Sequence, residues 1–303
     1  MNIKLTSICD IGKERTNNED AVAVCPDLAK RNWGEGSVSE YVPLGESGAL
    51  LIVADGMGGA NAGEVASSLA IDSVRKSFDR PLAQPVSEKE ACGLLRDAVL
   101  KANEEIMNYV ATDPDSIGLG TTIVMLWLIG ESAYISWCGD SRCYCFNPNG
   151  GLRLLTKDHS YVQELVDKGE LSEKEAFSHP DGNIVTRCLG DVEALTEPEF
   201  RSYTVRPGDI FLLCSDGLCG YCKDKEINKV MLSDYENLEQ CRNALLDLAL
   251  GAGGYDNISI ALCATLPDNG QTPTVSFGTR LKRFFGKSGV ILTAVSLVVE
   301  LAF

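Results

Sequence analysis

Three aspartates sit where apolar runs end or begin. Asp55 follows Leu50-Leu51-Ile52-Val53-Ala54, Asp216 follows Phe211-Leu212-Leu213-Cys214-Ser215, and Asp256 lies in Gly253-Gly254-Tyr255-Asp256-Asn257, just ahead of the run that starts at Ile258. A short apolar run reads as a strand crossing a core, so its end is a rigid place from which to present a side chain. Carboxylates gathered at one point repel one another and are tolerated there mainly when cations neutralise them. Hard cations such as Mg²⁺ and Mn²⁺ prefer oxygen ligands. The chemistry this residue set suits is therefore hydrolysis at a binuclear metal site. A single Asp-Gly pair is equally an ordinary turn, so the reading depends on the elements that must bring the three carboxylates together.

Those elements can be read from apolar spacing. Strands are expected over Asn2–Asp10, Ala21–Cys25 and Ala49–Ala54, the last apolar throughout and so buried on both faces. Residues 29–48 read as a loop or irregular hairpin. Helical spacing covers Asn61–Phe78, and a second helix over Ser87–Val110 opens with Ser87-x-x-Glu90, a capping-box pattern. Four strands then follow in quick succession, Thr121–Ile129, Ser132–Cys138, Arg142–Asn147 and Leu152–Thr156, joined by short turns that imply antiparallel pairing. Short helices are expected at Tyr161–Gly169 and Ser172–Phe177, and a loop-rich excursion over 178–198. Strands at Phe200–Val205 and Asp209–Ser215, helices at Lys225–Met231 and Tyr235–Leu250, and a strand at Ile258–Leu266 complete the set. Blocks of helices between blocks of antiparallel strands argue for an α+β fold with stacked layers rather than a βαβ wind.

Composition narrows the function classes. The 303 residues are 45% apolar and 23% charged, with a net charge of −16. That charge argues against a nucleic-acid binder, and an acidic protein acting on phosphate needs local cations to reverse the field. The twelve cysteines are scattered, many inside apolar runs (Cys138, Cys143, Cys145, Cys214, Cys263). No signal-peptide pattern opens the chain, so buried free thiols in a reducing cytoplasm are expected. Cys219-Gly-Tyr-Cys222 has no second pair to complete a zinc site and no thioredoxin-like surroundings.

Further polar knots alternate with the strands. Arg15-Thr16-Asn17-Asn18-Glu19-Asp20 lies between the first two strands, where a guanidinium fork suits phosphate oxygens and two adjacent acids can hold metal-bound water. In chain order come Asp55-Gly56-Met57-Gly58-Gly59, Gly118-Leu-Gly-Thr-Thr122, Gly139-Asp140-Ser141-Arg142, Asp158-His159-Ser160, Ser215-Asp216-Gly217-Leu218 and Gly253-Gly254-Tyr255-Asp256-Asn257. Together these resemble the metal-dependent serine/threonine protein phosphatases of the PPM (PP2C-like) family, in their bacterial form, over roughly residues 3–265.

The resemblance implies a central antiparallel β-sandwich flanked by helices on both faces, a four-layer αββα arrangement. It also implies a centre of two Mn²⁺ or Mg²⁺ ions at one end. On the matching positions, Asp55 resembles the carboxylate bridging both ions, the Gly56 carbonyl a ligand of one, and Asp216 and Asp256 ligands of the other. Glu19 and Asp20 resemble acids holding metal-bound water, Arg15 the phosphate clamp, and Asp140 a site for a third, weaker ion shared with Asp216. Gly169–Gly190 resembles a mobile flap. The implied reaction is in-line attack of a metal-bridging water on phosphoserine or phosphothreonine. The implied partners are phosphorylated proteins, including a serine/threonine kinase or its substrates. One departure matters: Met57 stands where some members carry a histidine able to protonate the leaving group, which leaves the general acid unassigned, with His159 a weak candidate.

Two other readings compete. Cys9…Arg15-Thr16 matches the Cys-x₅-Arg spacing of cysteine phosphatases, and Cys25…Arg31 repeats it. Such a spacing arises easily by chance in a chain with this many cysteines and arginines, and Asp10 and Glu14 would repel phosphate there. The other is a catalytically silent PP2C-like binding or regulatory protein. Domain organisation is expected as a phosphatase domain over 1–266, a linker over 267–279 and a basic, then apolar tail over 280–303. For the tail a membrane anchor, a docked helix and disorder all stay open. An anchor would leave the catalytic domain cytoplasmic.

Overall fold

The run Ala49–Met57 (β4) carries apolar side chains on both faces because each face has a layer to cover. Leu50, Ile52 and Ala54 point toward helices, whereas Ala49, Leu51 and Val53 point toward a second sheet. The computed structural model describes residues 1–34, 40–58, 63–79, 86–113, 116, 118–191 and 196–266. The linker and tail expected over 267–303 lie outside the described residues, as do Gly59 and the expected helix start at Asn61.

Among the described residues, twelve strands form two antiparallel sheets. The first has the order β3-β1-β12-β11-β8-β9, from Val42–Pro43 (β3), Asn2–Asp10 (β1), Ile258–Leu266 (β12), Ile210–Cys214 (β11), Arg142–Asn147 (β8) and Gly151–Leu154 (β9). The second has the order β10-β7-β6-β4-β2, from Glu199–Thr204 (β10), Ser132–Cys138 (β7), Ile123–Ile129 (β6), β4 and Asp20–Cys25 (β2), with Gly120–Thr121 (β5) paired to the end of β4.

Three apolar layers hold four structural layers together. Gly63–Phe78 (α1) and Glu88–Thr112 (α2) cover the second sheet. Burial of Ala66, Ala70, Ile71, Val74 and Phe78 at helical spacing gives α1 its inner face. Phe78 meets Trp127 edge-on at 5.3 Å between ring centroids. Between the sheets lie Ile3, Leu5, Val53, Leu126, Phe211 and Leu213. The first sheet is covered by Asp216–Cys219 (α5), Asp224–Asp234 (α6) and Leu238–Gly251 (α7). The expected αββα architecture is therefore observed.

The local signals mostly hold. Ser87 and Glu90 form the capping box at α2, with Ser87 N donating to Glu90 Oε2 at 2.9 Å. Three expectations need correction. The helix expected from Tyr235 begins at Leu238, because Asn237 accepts from Gln240 N and caps it. The helix expected to end at Met231 runs to Asp234. Asp216–Cys219, read only as a strand end, turns into a short helix. The elements Tyr161–Asp167 (α3) and Glu173–Ala176 (α4) fall where expected. Among the described residues no helix is long and apolar enough to cross a membrane.

Candidate metal centre

Both sheets deliver their carboxylates to one end of the sandwich. In the second sheet Asp20 at the start of β2 pairs directly with Asp55 on β4. In the first, β11 and β12 run side by side, so Asp216, two residues after β11, lies near Asp256, two residues before β12. Asp140 sits in the turn from β7 to β8. A cleft of ≈ 1120 Å³ opens over this end, lined by Arg15, Glu19, Asp55, Gly56, Asp140, Asp216 and Asp256 among others. The seven predicted side chains and the Gly56 backbone are thus brought to one place, Asp20 buried beneath the cleft rather than lining it.

Electrostatics mark the place as one built for cations. Asp55 and Asp140 are held well above the usual carboxylate range, first by burial and then by neighbouring aspartates. Burial likewise pushes Asp216 up to about 6, reinforced by Asp256, and Asp20 up to about 7, where hydrogen bonds from Ser215 and Ser259 work the other way. Asp55 and Asp216 lie within hydrogen-bond reach of each other. Two ionised carboxylates do not adopt that arrangement unaided; it needs a shared proton or a shared cation. Among the described residues no three carboxylate, thiol or imidazole groups close round a single point as a finished shell. The residues that do face the cleft are carboxylates, the oxygen donors that hard cations such as Mg²⁺ and Mn²⁺ prefer. The donor set fits the implied ions.

Neighbouring residues fix this set, and sequence reasoning assigned them no role. Ser215 Oγ donates to Asp20 Oδ2 at 2.7 Å while accepting from Ser259 N at 2.9 Å, so it orients Asp20 from below. The Asp55 backbone is clamped by Thr121 and Thr122: its carbonyl accepts from Thr122 N and Thr121 Oγ1, and its amide donates to Thr122 Oγ1. Gly56 must be glycine, because a Cβ there would fall on the Gly63 and Glu19 carbonyls. Gly56 aside, membership in the quoted motifs was the only signal for these residues; their roles exist only once distant strands pair.

Asn257 is the most connected of them. Its Oδ1 accepts from Glu19 N at 2.8 Å, and its Nδ2 donates to Ile11 O at 3.0 Å and Asn17 O at 2.9 Å. It therefore staples the loop carrying Arg15 and Glu19 to the start of β12. Asn257→Ala leaves three backbone groups, at Ile11, Asn17 and Glu19, without these partners. The expected cost is about 2–4 kcal/mol in chemical denaturation, with a fall in kcat/KM as the loop loosens. Unchanged stability would contradict the staple.

Other candidates resolve. Arg15 Nη2 donates to Asp256 Oδ2 at 2.8 Å, and its side chain stays half-exposed in the cleft. His159 does not line the cleft: its ring is buried against Trp137, and Nδ1 accepts from Gly139 N at 3.1 Å, which makes it structural. Cys9 Sγ accepts from Asn18 Nδ2 and Ser259 Oγ and is absent from the cleft lining, so nothing aligns it with Arg15 as a nucleophile. Burial pushes Cys25 up to about 11, against a thiolate role. All twelve cysteines are free, and all but Cys9 and Cys92 are buried. The segment expected as a flap, Gly169–Gly190, contributes Glu173, Lys174, Phe177, His179 and Asn183 to the cleft wall.

Comparison with known proteins agrees with this fold. The family model described as "Protein phosphatase 2C" matches residues 42–249. The chain is 37% identical over 213 residues to the serine/threonine phosphatase stp of Listeria monocytogenes, covering 70% of this chain and 83% of that protein. It is 36% identical over 231 residues to the serine/threonine protein phosphatase PstP of Mycobacterium tuberculosis, covering 76% of this chain but only 43% of that longer protein. A crystal structure of the catalytic domain of PstP in complex with two manganese ions superposes with a TM-score of 0.71 at 30% identity, covering 88% of this chain and 99% of that one. The fold and the site define a PP2C-type domain, and the chain belongs to the bacterial branch of the protein phosphatase 2C (PPM) family.

Proposed function

We propose that this protein hydrolyses phosphoserine and phosphothreonine in other proteins, with two Mn²⁺ or Mg²⁺ ions held by Asp55, the Gly56 carbonyl, Asp216 and Asp256, and a third held weakly between Asp140 and Asp216. The observation that carries the reading is the close approach of two half-buried carboxylates, Asp55 and Asp216, with the charges of Asp20, Asp140 and Asp256 near them. When bound, the ions would lower the pKa of a shared water and so supply a nucleophile near neutral pH. Asp20, fixed by Ser215, and Glu19, whose backbone amide is held by Asn257, would accept hydrogen bonds from water bound at the site. Arg15 uses one nitrogen on Asp256; its remaining N–H groups have no partner among the described residues and would take the phosphoryl oxygens. Met57 carries no proton to give, so the leaving alkoxide would be protonated by water ordered near Asp140.

Arg15→Ala is expected to lower kcat/KM for a phosphothreonine peptide by roughly 10²-fold, mostly through KM, and Arg15→Lys to recover only part of it. Cys9→Ser should leave the rate intact; its loss, with activity surviving EDTA, would move the mechanism to the thiol. No hydrolysis by folded, Mn²⁺-loaded protein would instead favour a catalytically silent binding protein. The substrates expected are a serine/threonine kinase or the proteins it phosphorylates. On sequence grounds alone, attachment to a membrane through 280–303 is part of the proposal. Vesicles rich in anionic lipid should retain the full chain and release a version ending at residue 279; equal retention of both would remove this element.

A further inference from the structure

Two tyrosines stand beside the metal end with no structural duty for their outer surfaces. Tyr255 immediately precedes Asp256 and is 54% exposed; Tyr221, five residues after Asp216, is 39% exposed and lines the cleft. Their rings lie against each other, 5.5 Å between centroids at 42°. Tyr255 is held from beneath as well, because its ring occupies the space a Cβ on Gly253 would need. Neither phenol oxygen has a hydrogen-bond partner among the described residues. Exposed aromatic rings that are fixed in place, rather than free to turn, form a contact surface with little entropy left to lose on binding. Phe177, the other large aromatic ring in the cleft lining, is occupied by the Lys223 ammonium at 5.1 Å from its centroid.

We infer that the Tyr221–Tyr255 pair is a specificity platform, which receives an aromatic or large apolar side chain next to the phosphorylated residue of the substrate. The inference rests on the proposed phosphatase reading and deepens it, naming the substrate class as phosphopeptides with such a flanking residue. The platform is continuous with the site: Tyr255 is bonded to the Asp256 backbone, and Tyr221 shares the cleft wall with Asp216 and Arg15. A phosphoryl group at the carboxylate end would therefore place a neighbouring side chain over the rings. The docked residue gains contact equally before and during the reaction, so the preference falls on KM rather than kcat.

The test is steady-state hydrolysis, with Mn²⁺, of phosphothreonine peptides that are alanine at every other position or carry one phenylalanine on either side of the phosphothreonine. The wild type should favour one phenylalanine peptide over the alanine peptide by roughly 5- to 10-fold in kcat/KM. Tyr255→Ala and Tyr221→Ala should bring that ratio close to one by raising KM, and Tyr255→Phe should keep it. Equal rates on all peptides by the wild type overturn the platform and leave the phosphatase reading standing. So does a variant that slows every peptide alike, since that is a structural effect. No hydrolysis of any peptide by the wild type overturns the phosphatase reading and the platform with it.

Discussion

Asp55→Asn is expected to lower kcat/KM for a phosphothreonine peptide by at least about 10³-fold, while the metal-free variant melts higher than the metal-free wild type near neutral pH. Both effects come from one cause. Asp55 is half-buried in the cleft wall, loss of solvent holds its carboxyl well above the usual range, and the charges of Asp20, Asp216, Asp140 and Asp256 push the same way. An amide of the same shape keeps the packing and can donate to Asp216, so it relieves the repulsion. It would not supply the negative charge that cations at this site need, so under the proposed function it removes what the repulsion serves. Opposite signs for stability and activity are the mark of a functional rather than structural carboxylate. Calorimetry of the EDTA-treated proteins, set beside kinetics of the Mn²⁺-loaded ones, checks it. A variant that loses stability and activity together would make Asp55 a structural residue.

The second large effect is the pH dependence of metal stabilisation. Asp20 and Asp216 titrate in the metal-free fold near about 7 and about 6, whereas an unfolded aspartate titrates near about 3.9. Between those values the folded state binds more protons than the unfolded state. Stability from this cluster is therefore greatest below about pH 4 and is lost as pH rises through 6 to 7. Under the proposed function Mn²⁺ would take the place of those protons. Its melting-temperature increment should be large at about pH 7.5 and shrink toward about pH 5, where protons compete for the same oxygens. Differential scanning fluorimetry with Mn²⁺ and with EDTA at the two pH values decides this. An increment that is the same at both would mean that Mn²⁺ binds elsewhere.

Much of this was legible in the sequence because strand ends are local features. The apolar runs closing at Asp55 and Asp216 and the one opening after Asp256 mark rigid positions, and their motif order marks the family. What the chain order could not show was which ends meet. Asp20 opposite Asp55 is a matter of register between β2 and β4, and the approach of Asp216 to Asp55 depends on packing between two sheets. Ser215 and Asn257 illustrate the limit best. Each is a small polar residue beside a quoted aspartate, indistinguishable in sequence from a turn residue. Their partners lie 195 and 238 residues away, at Asp20 and Glu19. The helix at Asp216–Cys219 was hidden for a related reason: a four-residue turn has no periodicity, and Gly217 fits there because a Cβ would strike the Asn257 carbonyl across the site.

The most direct test of the central claim is phosphate release from a phosphothreonine peptide by the wild type and by Asp216→Ala, each with Mn²⁺ and with EDTA. Release that requires Mn²⁺ in the wild type and falls by about 10³-fold in the folded variant is the predicted result. Release that persists in EDTA, or that Asp216→Ala leaves unchanged, would contradict a metal centre built on these carboxylates.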